Sequence, residues 1–187
     1  MGYAISWIAL RSKTPEAAAR LLGLKPTGRT EQIAESPFSG LQLETGWYVV
    51  VLQGCEHPLV QHASLQQVSA DAEALAVWLE EHVMACSAQY WKNGGQVWAV
   101  THEAEGMEDE LVEEGPLPAP YAEIKQRLLA EQQTADGVDY LFNIPLELAE
   151  SVTGFMHDKA IAGHFDILEP GTLPRSGGLL SRLFGKK

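Results

Sequence analysis

Asn93-Gly94 separates two runs rich in strand-forming residues, Met84–Trp91 and Gln96–His102. A two-residue type I′ turn needs positive φ at both central positions, and Asn followed by Gly meets that need with little strain. The pair predicts a hairpin and commits the middle of the chain to antiparallel β-structure. Residues 3–10 (Tyr-Ala-Ile-Ser-Trp-Ile-Ala-Leu) and the run Trp47–Leu52 are apolar on both faces of a period-2 pattern. Such runs suit central, buried strands.

Shorter signals place the remaining elements. Thr14 reads as an N-cap, Pro15 as the first helical residue and Gly23 as the residue that ends the helix. Residues 28–53 read as two or three strands, broken at Pro37, Ser39 and Gly40, with a turn at Glu44-Thr45-Gly46. Gly54–Gln67 reads as a polar connection. Ser69 reads as the cap of a helix to about Val83, because Ala72, Leu75, Ala76 and Leu79 recur at helical spacing. Pro116, Pro118 and Pro120 predict an extended connection before a helix from Tyr121 to about Gln133. Pro145 opens a short helix that ends near Gly154, and no clear periodicity follows Gly163.

This order predicts an α+β fold with an antiparallel or mixed sheet and helices packed on one face, in ferredoxin-like or βαβββ-type units. The expected organisation is a single domain over residues 1–168, with sub-units at 1–54 and 69–103 as the alternative division. A flexible basic tail is expected over 170–187. At 187 residues and 45% hydrophobic content the chain buries a core without help from metals or disulfides.

Charge narrows the partner. Between Thr30 and Ile124 stand sixteen acidic residues and one basic residue, Lys92. Residues 1–174 carry nine basic and twenty-five acidic groups, a net of −16, whereas Arg175, Arg182, Lys186 and Lys187 make the end basic. Such a body repels nucleic acid and anionic membrane and attracts basic surfaces. Seven of the twelve residues at 103–114 are acidic. No apolar run approaches the roughly 20 residues of a membrane span, and no secretion signal is read, so a cytoplasmic location with no stable membrane association is expected. Cys55 and Cys86 are then expected as free thiols.

Several constellations carry chemistry on paper. Cys55, His57, His62, His82 and Cys86 are the soft-ligand candidates for a metal, but their spacing matches no zinc module, so no metal and no cofactor are expected. Cys86 or Cys55 beside a histidine is the nucleophile candidate. Glu80-Glu81-His82, His102-Glu103 and His157-Asp158 place carboxylates next to imidazoles, but adjacent residues on a strand face opposite ways, as for His102 and Glu103. Glu80 and Glu81 at the end of a helix form a solvated face, and His157-Asp158 has the same problem. Gly94-Gly95 and Gly177-Gly178 lack the framework of a phosphate loop. An enzyme is therefore the rival expectation, with His82, Cys86 and His102 as its first residues. Trp91 and Trp98 flank the Asn93-Gly94 turn and offer either a cross-strand clasp in the core or an exposed anchor for a partner.

The β-α-β-β-β order of the first half, with Leu22-Gly23-Leu24 after its helix, resembles the βαβββ module of the glyoxalase/extradiol-dioxygenase superfamily. That superfamily's metal sites use His and Glu on strands, and no histidine here precedes His57. Tyr3–Leu24, Glu81-His82-Val83-Met84 and Val138–Pro145 resemble segments of a family of uncharacterised bacterial proteins. This second resemblance implies a bacterial source and brings no activity.

The combined expectation is an acidic binding protein, of the immunity or inhibitor kind, that occludes a basic partner such as a toxin. Glu103, Glu105, Glu108, Asp109, Glu110, Glu113 and Glu114 would steer that partner, with Trp91 or Trp98 as its anchor. A small-molecule binder or enzyme and a housekeeping adaptor are the alternatives.

Overall fold

The computed structural model describes residues 2–12, 14–103, 110–134 and 137–171. The elements run β1 (Ala4–Arg11), α1 (Pro15–Leu21), β2 (Leu24–Glu31), β3 (Phe38–Gln42), β4 (Tyr48–Gln53) and a 3-10 turn at Pro58–Val60. Then come α2 (His62–Val68), β5 (Glu73–Glu80), β6 (Ala85–Lys92), β7 (Gly95–Glu103) and β8 (Glu110–Glu114). The described chain closes with α3 (Pro120–Gln132), α4 (Asn143–Thr153) and β9 (Phe165–Pro170). The nine strands form one sheet in the order β2-β9-β3-β4-β1-β5-β6-β7-β8. Every ladder is antiparallel, so the α+β class with an antiparallel sheet is established.

β1 lies in the middle of this sheet, between β4 and β5. Ile5, Trp7 and Ala9 face one core with α3 and α4, whereas Ile8 and Leu10 face another with α1, the 3-10 turn and α2. Helices therefore cover both faces, not one. The reason is in the strands themselves: runs apolar on both sides need cover on both sides. β1 pairs with β5 from Ala4↔Glu80 to Arg11↔Glu73, so strands from residues 1–54 and 69–103 share one continuous sheet.

The local signals hold where the stabilising contacts are local. The Thr14 side chain accepts a hydrogen bond from the Ala17 amide, and Gly23 closes the helix at φ 70°. Asn93 and Gly94 take φ of 54° and 74°, and β6 pairs with β7 across them. Gly154 ends α4 in the left-handed conformation.

Other expectations fail where the stabilising contacts are distant in sequence. The helix from Ser69 to Val83 is instead strand β5, with Leu75, Val77 and Leu79 in one core and Ala74 and Ala76 in the other. A strand buried on both faces has no polar side, so its apolar residues fall at helical spacing by coincidence. The helix lies earlier, inside the expected polar connection, and Ser69 caps its C-terminus. Ser39 and Gly40 do not break β3: both sit within the strand, and at position 40 the Tyr48 phenol occupies the space a Cβ would take. Residues 165–170 form β9, which inserts between β2 and β3. The acidic connection at 103–114 is also partly structured, since its last five residues are β8.

Candidate functional site

The antiparallel pairing Ile5↔Gln53 and Ala4↔Glu80 gathers the start of β1 and the ends of β4 and β5 at one end of the sheet. Gly154 then turns the chain after α4, so that residues 155–161 cross this end. The Thr153 hydroxyl fixes that turn, donating to the Ala149 carbonyl and accepting from the Phe155 amide. Phe155 packs edge-on against Trp7, with ring centres 5.2 Å apart. The segment Gln32–Ala34 after β2 closes the other side.

Between these pieces lies a cleft of about 460 Å³. Ile5, Val51, Phe155 and Phe165 give it buried apolar walls, and Gln32, Gln53, Asp158 and Lys159 give it polar ones. Its volume and lining fall in the range of small-molecule sites. Two other depressions, beside Arg11 and Asp71 and beside His82 and Asp139, are more open to solvent.

His157 is the unusual member of the wall. Its side chain is only 4% exposed, and among the described residues neither ring nitrogen has a hydrogen-bond partner. Glu81 Oε1 stands 3.8 Å from Nε2, which is beyond hydrogen-bond range. Tyr3 packs edge-on against the imidazole, with ring centres 4.9 Å apart, and its amide donates to Glu81 Oε2 at 2.8 Å. Burial holds the His157 pKa below the ordinary value, against the opposing pull of Asp158 and Glu81. A buried polar group without a partner costs about 1–3 kcal/mol, so such a group asks for an explanation.

A second histidine cluster lies on the same face of the sheet. Cys86 and His102 are directly opposite across β6 and β7. His102 Nε2 is 2.8 Å from Asp139 Oδ2, and Asp139 Oδ1 accepts from the Phe142 amide. The Cys86 thiol donates to the Phe142 carbonyl at 3.1 Å. These bonds pin the start of α4 to the sheet. Burial and then the nearby Asp139 push the Cys86 thiol far above its usual range, which removes the thiolate a nucleophile needs. His82 stands apart at the surface, bonded to Glu80 at 2.7 Å. The three residues of the enzyme expectation thus do not converge.

The soft-ligand candidates are likewise spread out. Cys55 is partly buried near Glu80, where burial and then that carboxylate raise its pKa. His57 Nδ1 caps the 3-10 turn by accepting from the Leu59 amide, and His62 packs edge-on against Trp91. Among the described residues no three His, Cys, Asp or Glu side chains form a metal-ligating group.

The expected partner surface is changed most at its anchors. Trp91 and Trp98 are 1% and 4% exposed and belong to opposite cores, so neither is an exposed anchor. Nor do they clasp each other. A register shift between Tyr90 and Trp91 sets Trp91 against Gln96, and Trp98 stacks on Tyr90 instead. Glu103, Glu113 and Glu114 are exposed. Glu113 accepts from Lys125 on α3, and Glu114 accepts from Gln96 at 2.6 Å. Glu110 begins β8, whereas Glu105, Glu108 and Asp109 lie outside the described residues, as do 172–187 of the basic tail.

No family model, curated protein or solved structure matches this chain. The cleft must therefore be read from its own chemistry. Nothing in the sequence marks His157 beyond its chain neighbour Asp158. The carboxylate nearest its ring comes from Glu81, and the ring packed edge-on against it from Tyr3. No sequence spacing links these residues; only the order of strands does.

Proposed function

We propose that this is a binding protein that takes a small, largely apolar ligand in the cleft between the β1–β4 end of the sheet and residues 155–161. The observation that carries this reading is His157, buried in the cleft wall with both ring nitrogens unpartnered. A polar atom left unmatched beside an apolar cavity is what a ligand's own polar group would match. The test is a titration with N-phenyl-1-naphthylamine, a neutral apolar dye that brightens in dry sites. Saturable one-to-one brightening, abolished by Ala34→Trp, which fills the cleft from its loop side, supports the reading. Brightening unchanged in that variant sinks it.

A second reading keeps the acidic partner surface. The observation that favours it is that β8 pairs only with β7 among the described strands, leaving an acidic strand at the sheet edge. An extended basic segment of another protein would add to that edge through its backbone, with Glu103, Glu113 and Glu114 supplying charge. An immunity-type protein that occludes a toxin is the specific form of this reading, and an adaptor using the basic tail is its variant. Affinity for such a partner should fall steeply with added salt. No helix among the described residues is long and apolar enough to cross a membrane. A cytoplasmic site of action fits both readings and the free thiols of Cys55 and Cys86.

A further inference from the structure

We infer that the cleft has an occupant in the chain itself: the apolar, basic segment at residues 179–187 docks there and competes with the small ligand. This rests on the cleft reading and adds its regulation.

The uncovered wall is the first argument. Ile33 is 69% exposed, more than any other large apolar side chain among the described residues, and it stands on the loop side of the cleft. Tyr3, another lining residue, is 44% exposed, and Ile161 is half-buried. Scattered exposed apolar side chains are ordinary. Here they border one cavity with apolar walls, which is the pattern of a surface that another segment covers.

Charge is the second argument. Asp158 is exposed in the lining, and Glu35, also exposed, follows Ala34 of the lining. Lys159 is the one lysine or arginine among the lining residues, and both oxygens of Glu150 hold it, at 2.6 and 2.7 Å. The mouth is thus acidic, within a body that carries a net of −16 over residues 1–174. Exposed carboxylates attract only weakly one at a time. The field of the whole body therefore supplies the steering, and apolar contact supplies the seating.

Composition names the occupant. No acid follows Glu169. Leu179, Leu180, Leu183 and Phe184 stand there among Arg182, Lys186 and Lys187. A cleft of about 460 Å³ takes a few such apolar side chains, and the basic ones meet its acidic mouth.

Reach is the last argument. β9 starts in the cleft at Phe165 and runs away from it to Pro170, opposite Leu24 on β2. At about 3.3 Å per residue that is about 17 Å. The Gly171 amide donates to the Gly23 carbonyl at 2.8 Å, which fixes the point from which the segment departs. Leu183 is twelve residues beyond Gly171, a span of up to about 40 Å, enough to return to the cleft with a detour. A tethered segment also acts at an effective concentration of about 1 mM. A contact with a dissociation constant of about 0.1 mM then closes the cleft about ten times as often as it leaves it open.

The test titrates N-phenyl-1-naphthylamine into the full chain and into its Leu183→Asp, Phe184→Asp double variant. The double variant should bind the dye roughly threefold to tenfold more tightly, because its cleft stands open. Adding Ala34→Trp to it should abolish that binding. A second measurement puts p-benzoylphenylalanine in place of Phe184 and irradiates the full chain. Crosslinks should form within one chain and map to lining residues such as Ile33, Val51 and Ile161. Equal dye affinity in parent and double variant, or crosslinks outside the cleft, overturns the inference and leaves the cleft reading standing. Crosslinks between two chains overturn it as well, since the occupant is then a second copy. A dye bound by neither protein overturns the cleft reading, and the competition with it.

Discussion

His102 and His157 are both buried imidazoles on the helix-α4 side of one sheet, and each lies near a carboxylate. They differ in how their nitrogens are used. His102 shares a 2.8 Å hydrogen bond with Asp139, which also caps the Phe142 amide, so one carboxylate ties β7 to the start of α4. Only its Nδ1 is left without a partner. His157 stands 3.8 Å from Glu81 and has both nitrogens unmatched, and it lines a cleft. A matched buried polar group holds structure in place. An unmatched one beside a cavity is a cost in the empty protein that a ligand relieves.

The largest expected effect breaks the matched pair. Asp139→Ala orphans His102 and the Phe142 amide together, and should destabilise the fold by about 2–3 kcal/mol in urea unfolding. A change under about 0.5 kcal/mol would show that the His102–Asp139 bond does not hold the fold.

The same measurement on the other histidine should give a different answer. His157→Phe removes both unmatched nitrogens and keeps a planar ring. It should leave stability within about 1 kcal/mol of the parent, or raise it. A loss as large as that of Asp139→Ala would make His157 structural and erase the contrast.

pH sharpens the comparison. Burial lowers the His157 pKa, and it lowers that of His57 as well. The unfolded chain therefore takes up these protons more readily than the folded one. Stability is full above the unfolded value of 6.5 and declines as pH falls below it toward the folded pKa. The urea midpoint should drop between pH 7.5 and pH 5.5, and the drop should be smaller in His157→Phe. An identical drop in parent and variant would remove His157 as its source.

Smaller effects are expected at exposed carboxylates. Glu81 is about a third exposed, so Glu81→Gln should change stability by less than about 1 kcal/mol in the same unfolding measurement. Glu113→Gln, which loses one surface pair with Lys125, should stay within about 0.5 kcal/mol in the same unfolding measurement.

The parts of the fold that could be read from sequence are those set by neighbours along the chain. Asn93-Gly94 required its hairpin, Thr14-Pro15 and Gly23 bounded α1, and Gly154 ended α4, because backbone φ and cap hydrogen bonds span only a few residues. β5 reads as a helix in sequence because burial on both faces of a strand and one face of a helix give the same string of apolar residues. β9 escaped notice because six residues carry little periodicity, and its place between β2 and β3 depends on partners more than a hundred residues away.

The candidate site lay further from view. Tyr3, Glu81 and His157 lie far apart in sequence, and no spacing links them. The sequence by itself determined an acidic α+β chain with central apolar strands and fixed turns, since composition and local sterics travel with the residues. The tertiary structure alone decided that β1 pairs with both β4 and β5, that helices cover both faces, and that one imidazole is buried without a partner. Strand order converts distance in sequence into contact in space, and no local pattern records that order.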